Sequence, residues 1–267
     1  MERARRELVF ATHLAPNIRP VYELVVKRVG VELGIPTRLV TGDSLQPIRS
    51  GEIDFAFLCG LPYVRLRRED SRGVEAIAAP VVPEPRYGGW PIYFSDVIVG
   101  ATSGVQTLAD LRGCCWAYNE KDSHSGYLVT LYNLLLMGET GAFFARTEMT
   151  GFHQESVRLV AEGKVDASAI DSQVLGVELR RDPALADRIR VIGSFGPSTI
   201  QPLLATHAVP AGLREEVTEI VTSIGRGDSD RQLLAAGLVD RFVPVVDGSY
   251  DDIRAMLDAV EGAGLSL

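Results

Sequence analysis

What this chain lacks narrows its chemistry first. It has three cysteines in 267 residues, Cys59, Cys114 and Cys115, too few and too oddly spaced for a disulfide framework or a cysteine zinc site. Cys114 and Cys115 are neighbours in an apolar stretch, so a strand would turn them to opposite faces as small core residues. No run reaches the ~20 apolar residues of a membrane-spanning helix. The basic start, Met1-Glu2-Arg3-Ala4-Arg5-Arg6-Glu7, is followed only by Leu8 to Ala11, which is no signal-peptide core. The chain is therefore expected either to be made without a secretion signal or to have lost one. Positive charge is also short. Twenty-seven Lys and Arg against 35 Asp and Glu give a net charge of −8, which makes nucleic acid a poor partner. There is no Gly-x-x-x-x-Gly-Lys-Ser/Thr loop, no Gly-x-Ser-x-Gly elbow and no His-Glu-x-x-His. Nothing marks an activated nucleophile, and neither a cofactor nor a metal is expected.

What is present reads as an α/β protein. Hydrophobic residues make up 46% of the chain and charged residues 23%, as in soluble globular domains, and the length allows one or two of them. Short apolar runs alternate with amphipathic segments, the pattern of strands joined by crossover helices. Strands are predicted at Leu8–Ala11, Thr37–Val40, Ile53–Leu58, Val74–Val82, Tyr93–Val99, Cys114–Tyr118 and Val165–Ile170. Helices are predicted near Ile18–Val29, Gly126–Leu136, Glu155–Glu162, Leu213–Ile224 and Asp251–Val260.

One short pattern occurs twice. Ser44-Leu45-Gln46-Pro47-Ile48-Arg49-Ser50-Gly51-Glu52-Ile53-Asp54-Phe55-Ala56 is echoed by Ser156-Val157-Arg158-Leu159-Val160-Ala161-Glu162-Gly163-Lys164-Val165-Asp166-Ala167-Ser168. Each is a helix stopped by Gly, then a charged residue, then a strand with Asp near its start. Glycine takes the left-handed backbone that ends a helix at little steric cost. The spacing is too long for a solenoid. Two similar lobes account for it, as would chance likeness between two ordinary αβ units.

Several motifs, in order along nearly the whole chain, carry a family resemblance. They are Phe10-Ala11-Thr12-His13-Leu14-Ala15-Pro16, Gly51-Glu52-Ile53-Asp54-Phe55-Ala56-Phe57, Gly60-Leu61-Pro62-Tyr63-Val64, Leu108-Ala109-Asp110-Leu111-Arg112-Gly113, Asp122-Ser123-His124-Ser125-Gly126-Tyr127 and His153-Gln154-Glu155-Ser156. Together they resemble the phosphate/phosphite/phosphonate (PhnD-like) substrate-binding proteins of ABC importers. The resemblance implies the type II periplasmic binding protein fold. That is an α/β protein of two lobes with a mostly parallel sheet in each, hinged by two crossing strands. Lobe 1 would be residues 1–97 and 204–267, and lobe 2 residues 98–203. Tyr93–Gly100 and Thr199–His207 would cross. The partners implied are a small, anionic ligand and an ABC permease, for a monomer. The location implied is the periplasm or outer face if a signal was removed, and the cytoplasm otherwise.

Candidate ligand-binding residues follow from helix starts and strand ends. Ser123, His124 and Ser125 precede a helix whose first N–H groups have no intrahelical partner and whose dipole favours an anion. No Glu or Gln stands three residues after either serine, so no capping box occupies those donors. A serine there also caps a helix well. In the resembling family this loop holds phosphonate or phosphate oxygens through consecutive hydroxyl residues, and here His124 stands where Ser or Thr is common. Open sheets bind ligands beyond the carboxyl ends of their strands. That adds Thr12 and His13, Tyr63 and Asp171, with an exposed turn, a core tyrosine and a hinge anchor as competing roles. His153 begins a helix, where it either meets the ligand or caps. Tyr93, with Trp90 and Phe94, either walls the cleft or packs in the core. Asp54, Asp166 and His207 are expected to be structural.

Two other functions share this fold. Menaquinone-pathway and pyrimidine-synthase type enzymes of the cytosol use it, and so do ligand-sensing modules. No helix-turn-helix or coiled coil is present to serve a sensor.

Overall fold

The computed structural model describes residues 7–225 and 227–267. The chain divides into two compact units, residues 1–92 with 199–250 and residues 93–198 with 251–267.

In the first unit the strands are β1 (Leu8–Thr12), β2 (Thr37–Thr41), β3 (Phe55–Phe57) and β4 (Val74–Val81). The helices are α1 (Arg19–Leu33), α2 (Gln46–Arg49) and α3 (Gly60–Glu69). The second unit contributes β5 (Ile92–Gly100), β6 (Cys115–Tyr118), α4 (Val129–Leu136), β7 (Arg146–Met149), α5 (His153–Ala161), β8 (Ala167–Asp171), α6 (Ser172–Arg181) and β9 (Ile189–Thr199). The chain then supplies β10 (Leu203–Thr206), α7 (Ala211–Ser223), α8 (Asp228–Ala236), β11 (Arg241–Pro244) and α9 (Asp251–Gly262).

The first unit is built on a six-stranded sheet, β11-β4-β10-β3-β1-β2. β1 runs parallel to β2 and β3, while β10 is antiparallel to β3 and β4, and β11 to β4. This sheet is mixed rather than mostly parallel, because β10 and β11 enter it from later in the chain. α1 lays Val21, Val25 and Val29 on it, one helical face spaced by four residues. Phe10 stacks on Phe55 and Tyr22 on Phe57, with centroids 4.9 and 4.3 Å apart.

The second unit holds the sheet β7-β6-β8-β5-β9, also mixed, with β6 parallel to β7 and β8 and β5 antiparallel to β8. Trp116, Phe143, Phe144, Val97 and Val129 form its core on one side, and Ile98, Ala117, Val157 and Ile170 on the other. Cys114 packs on the first group and Cys115 on the second, so the two thiols do face opposite ways.

Three expectations need correction. The chain passes between the units at Ile92/Tyr93 and Ser198/Thr199, so the strands that cross are β5 and β9. Leu203–Thr206, inside the expected second crossing segment, is a strand of the first sheet. The boundaries at 97/98 and 203/204 move accordingly by about five residues. The C-terminal helix does not return to the first unit. α9 belongs to the second, packs against α4, and buries Ile253, Leu257 and Val260. Its apolar stripe suits either sheet, and nothing local in the sequence chooses between them.

The repeated pattern is a repeated structure. Gly51 and Gly163 both take positive φ, 75° and 67°. Asp54 accepts from the N–H of Val9 at 2.8 Å, and its own N–H donates to the Val9 carbonyl at 2.9 Å. Asp166 does the same with Cys115, at 2.6 and 3.0 Å. Each aspartate thus pins the start of one strand to its parallel neighbour, β3 to β1 and β8 to β6. Asp54 and Asp166 are structural residues. Among the described residues no helix is long and apolar enough to cross a membrane.

Candidate functional site

In the second unit the chain leaves β6 at Tyr118 and turns into α4 through Ser123 and a π-helical turn, His124–Leu128. The Leu128 N–H donates to the Ser123 carbonyl at 3.1 Å, the wide i to i+5 closure of such a turn. π turns of this kind recur at functional sites. Ser123 Oγ accepts from the Gly126 N–H at 3.0 Å, so this serine does cap. A Cβ at Gly126 would overlap the Asn119 side-chain oxygen, so a larger residue here would push that side chain aside.

Five of the expected residues come together at this turn. Ser125 Oγ lies 2.8 Å from His153 Nε2 and 3.4 Å from Ser123 Oγ. His124 Nδ1 is 3.1 Å from the Tyr93 hydroxyl, and its Nε2 is 3.5 Å from Ser198 Oγ. Ser95 on β5 donates to the Ser125 carbonyl at 2.8 Å. Tyr93, Ser123, His124, Ser125 and His153 are all buried. Burial pushes the His124 imidazolium down to about 3 and that of His153 down to about 4, because a dry surrounding disfavours the charged ring. Both rings are neutral at pH 7. They offer hydrogen-bonding nitrogens and no charge.

Asp171 stands beside Ser95 in the β5–β8 register. Its carboxylate accepts from the N–H groups of Gln173 and Val174 at 2.8 and 3.1 Å and caps α6. Ser172 Oγ accepts from the Phe94 N–H.

The remaining candidates lie in the first unit. Thr12 Oγ1 accepts from the Leu14 N–H at 3.2 Å, at the carboxyl end of β1. The His13 ring fills the space beside Gly42; burial lowers its pKa, and Asp43 opposes that shift. Tyr63 is fully buried in α3 and its hydroxyl donates to Asp247 at 2.8 Å. Asp247 also accepts from Arg67 Nε at 3.1 Å. Desolvation, then the bond to Asp247, raises the Tyr63 pKa. Tyr63 is thus tied to Asp247 and packs edge-on against Tyr250. Trp90 is largely exposed, and His207 lies at the surface against Gly51.

Sequence reasoning missed three residues of the turn's surroundings, Ser95, Ser198 and Asn119. Asn119 had a signal. It follows β6 as His13 follows β1, at the matching place in the repeat.

Comparisons with known proteins bear on the family and the fold of the chain. A family model, described as the periplasmic substrate-binding protein of phosphonate ABC transporters, matches residues 10–250. Among solved structures, the chain is similar to a binding-protein component of an ABC phosphonate transporter from Pseudomonas aeruginosa. The TM-score is 0.82 at 18% identity, covering 96% of this chain and 86% of that one. It is also similar to PhnD1 from Prochlorococcus marinus, solved in complex with methylphosphonate, with TM-score 0.81, 17% identity and coverage of 96% and 98%. The periplasmic aliphatic sulphonate binding protein SsuA of Escherichia coli is similar at TM-score 0.60 and 15% identity, covering 97% and 86%. At these identities the solved structures speak for the fold.

Proposed function

Because the chain belongs to the periplasmic substrate-binding proteins of phosphonate ABC transporters, we propose that it captures a small phosphonate- or phosphate-like anion in a cleft between its two units. It then hands the anion, as a monomer on the periplasmic side, to an ABC permease. The observation that carries this reading is the turn at His124–Leu128, where hydroxyls and helix-start amides gather without a fixed charge on either histidine. Helix-start N–H groups and hydroxyls are suited to an oxyanion. Ser123, His124, Ser125 and His153 form the second unit's share of the site, and Tyr93 orients His124. Thr12 and His13 supply the first unit's share from the end of β1. Tyr63 acts through Asp247, and Asp171 through the start of α6. Binding draws the two units together, since a shared cleft gains contacts only when both sides meet the ligand.

Calorimetric titration with methylphosphonate tests the reading. Ser125→Ala removes one donor to a charged group, worth about 1.5–3 kcal/mol, so it should weaken binding roughly ten- to a hundredfold. If Ser125→Ala binds as tightly as the wild type, the turn is only a helix start and the assignment fails.

A further inference from the structure

The hydrogen bonds of the turn leave two atoms over. Asn119 Oδ1 and His153 Nδ1 are buried and have no hydrogen-bond partner, in residues only 8% and 6% exposed. Both side chains converge on Gly126. Asn119 Oδ1 occupies the place a Cβ would take, and His153 Cε1, bonded to Nδ1, is 3.3 Å from the same point. A buried polar atom without a partner is costly, and native structures hold few of them. An amide oxygen left in this way beside an oxyanion site points to a donor that arrives with the ligand.

Both atoms are acceptors. An amide oxygen accepts only. For Ser125 to give its proton to an anion, its oxygen takes the proton of His153 Nε2, and Nδ1 is then a bare lone pair. A fully ionised oxyanion brings only more acceptors to this place. An oxyanion that keeps one O–H brings the missing donor.

We infer that the site takes its ligand singly protonated, with Asn119 Oδ1 receiving the ligand's O–H. The inference rests on the phosphonate reading above and narrows it. The ligand class is the monoanion of a phosphonate, phosphite or phosphate. Sulfonates, which hold no proton at neutral pH, are rejected.

The titratable and charged groups next to Asn119 in the chain, and on the strands and helix that meet the turn, come from several elements. Tyr118 lies on β6, Glu120, Lys121 and Asp122 on the following loop, and His124 and Tyr127 in the turn. Tyr93 and Asp96 lie on β5, Asp171 on β8, and His153 and Glu155 on α5. The two histidines titrate below the working range. Glu120 is raised by burial and then by Asp122, which makes it the protein group to control for.

The test is calorimetry with methylphosphonate from about pH 5.5 to 8.5 in two buffers of different ionisation enthalpy, with methylsulfonate beside it. Affinity should stay level below the ligand's second ionisation, then fall about tenfold per pH unit with uptake of one proton. Methylsulfonate should bind at least about a hundredfold more weakly, as a site built around a ligand O–H rejects the analogue without it. Glu120→Gln should leave the slope unchanged. Asn119→Ala should flatten it, while Asn119→Asp, which keeps shape and acceptor, should preserve it. A flat wild-type profile, affinity that rises through the ionisation, or equal binding of methylsulfonate overturns the inference and leaves phosphonate capture standing. An unchanged slope in Asn119→Ala overturns the role of that residue. Failure of methylphosphonate, phosphite and phosphate to bind at any pH overturns the proposed function and this inference together.

Discussion

The second unit repeats a device of the first, and the two copies part only where the device ends. In both, a left-handed glycine closes a helix and an aspartate clamps the next strand to its parallel neighbour. Counting forward from the clamped residues, Thr12 and His13 in one copy correspond to Tyr118 and Asn119 in the other. Cys59, which opens α3, corresponds to Asp171, which opens α6. The scaffold is shared, and the chemistry at the strand ends is not. Only the second copy is followed by a serine-capped π turn, with one buried histidine in it and another against it. The interior of such a repeat is set by packing, while its carboxyl edge is free to differ and so to acquire function.

Acid should break the symmetry between the units most strongly. Burial holds the His124 and His153 imidazolium pKa values down to about 3 and about 4 in the folded chain, against about 6.5 for an unfolded histidine. Between those limits the unfolded state binds protons that the folded state does not, so stability is complete above about pH 6.5 and falls as pH drops. Each histidine should cost on the order of 2 kcal/mol by pH 4.5. Hydrogen exchange followed from pH 7 to 4.5 should show residues 93–198 losing protection before the first unit. Equal loss in both units would count against burial of these rings.

A smaller effect separates the two clamps. Asp54 is buried and Asp166 is exposed, so the same hydrogen bond is worth more in the first unit. Asp54→Ala should cost about 1–3 kcal/mol, by leaving the Val9 N–H unpaired in a dry place. Asp166→Ala should cost less than about 1 kcal/mol, since water replaces the carboxylate. Denaturant unfolding of the two variants measures both, and a reversed order would mean that the repeat is mere resemblance.

Much of this was legible in the sequence, for reasons that differ by element. Apolar runs such as Leu8–Ala11 and Val74–Val82 announce their strands because both faces are buried. Gly51 and Gly163 announce helix ends because only glycine takes that backbone cheaply. Strands β7, β9 and β11 and helices α6 and α8 escaped; for β7 and β11 the reason is that Arg146-Thr147-Glu148-Met149 and Arg241-Phe242-Val243-Pro244 are short edge segments with little apolar signal. The placement of α9 was out of reach for a tertiary reason, since its partner α4 lies more than a hundred residues earlier in the chain. At the site, the sequence pointed to Ser123, His124 and Ser125 through the free amides of a helix start, and to His153 because it begins a helix of its own. It also pointed to Tyr63, whose hydroxyl is tied to Asp247 by a contact between residues far apart in the chain. Asp171 was seen correctly at a strand end, but its carboxylate caps α6 within its own unit.

The central claim is that the oxyanion is held at the start of α4. Backbone amide chemical shifts during titration with methylphosphonate test it most directly. Saturable shifts should be largest at the N–H groups of His124, Ser125, Gly126 and Tyr127, with smaller ones at His13. Saturable binding that leaves those four amides unmoved and shifts only residues of the first unit would contradict it.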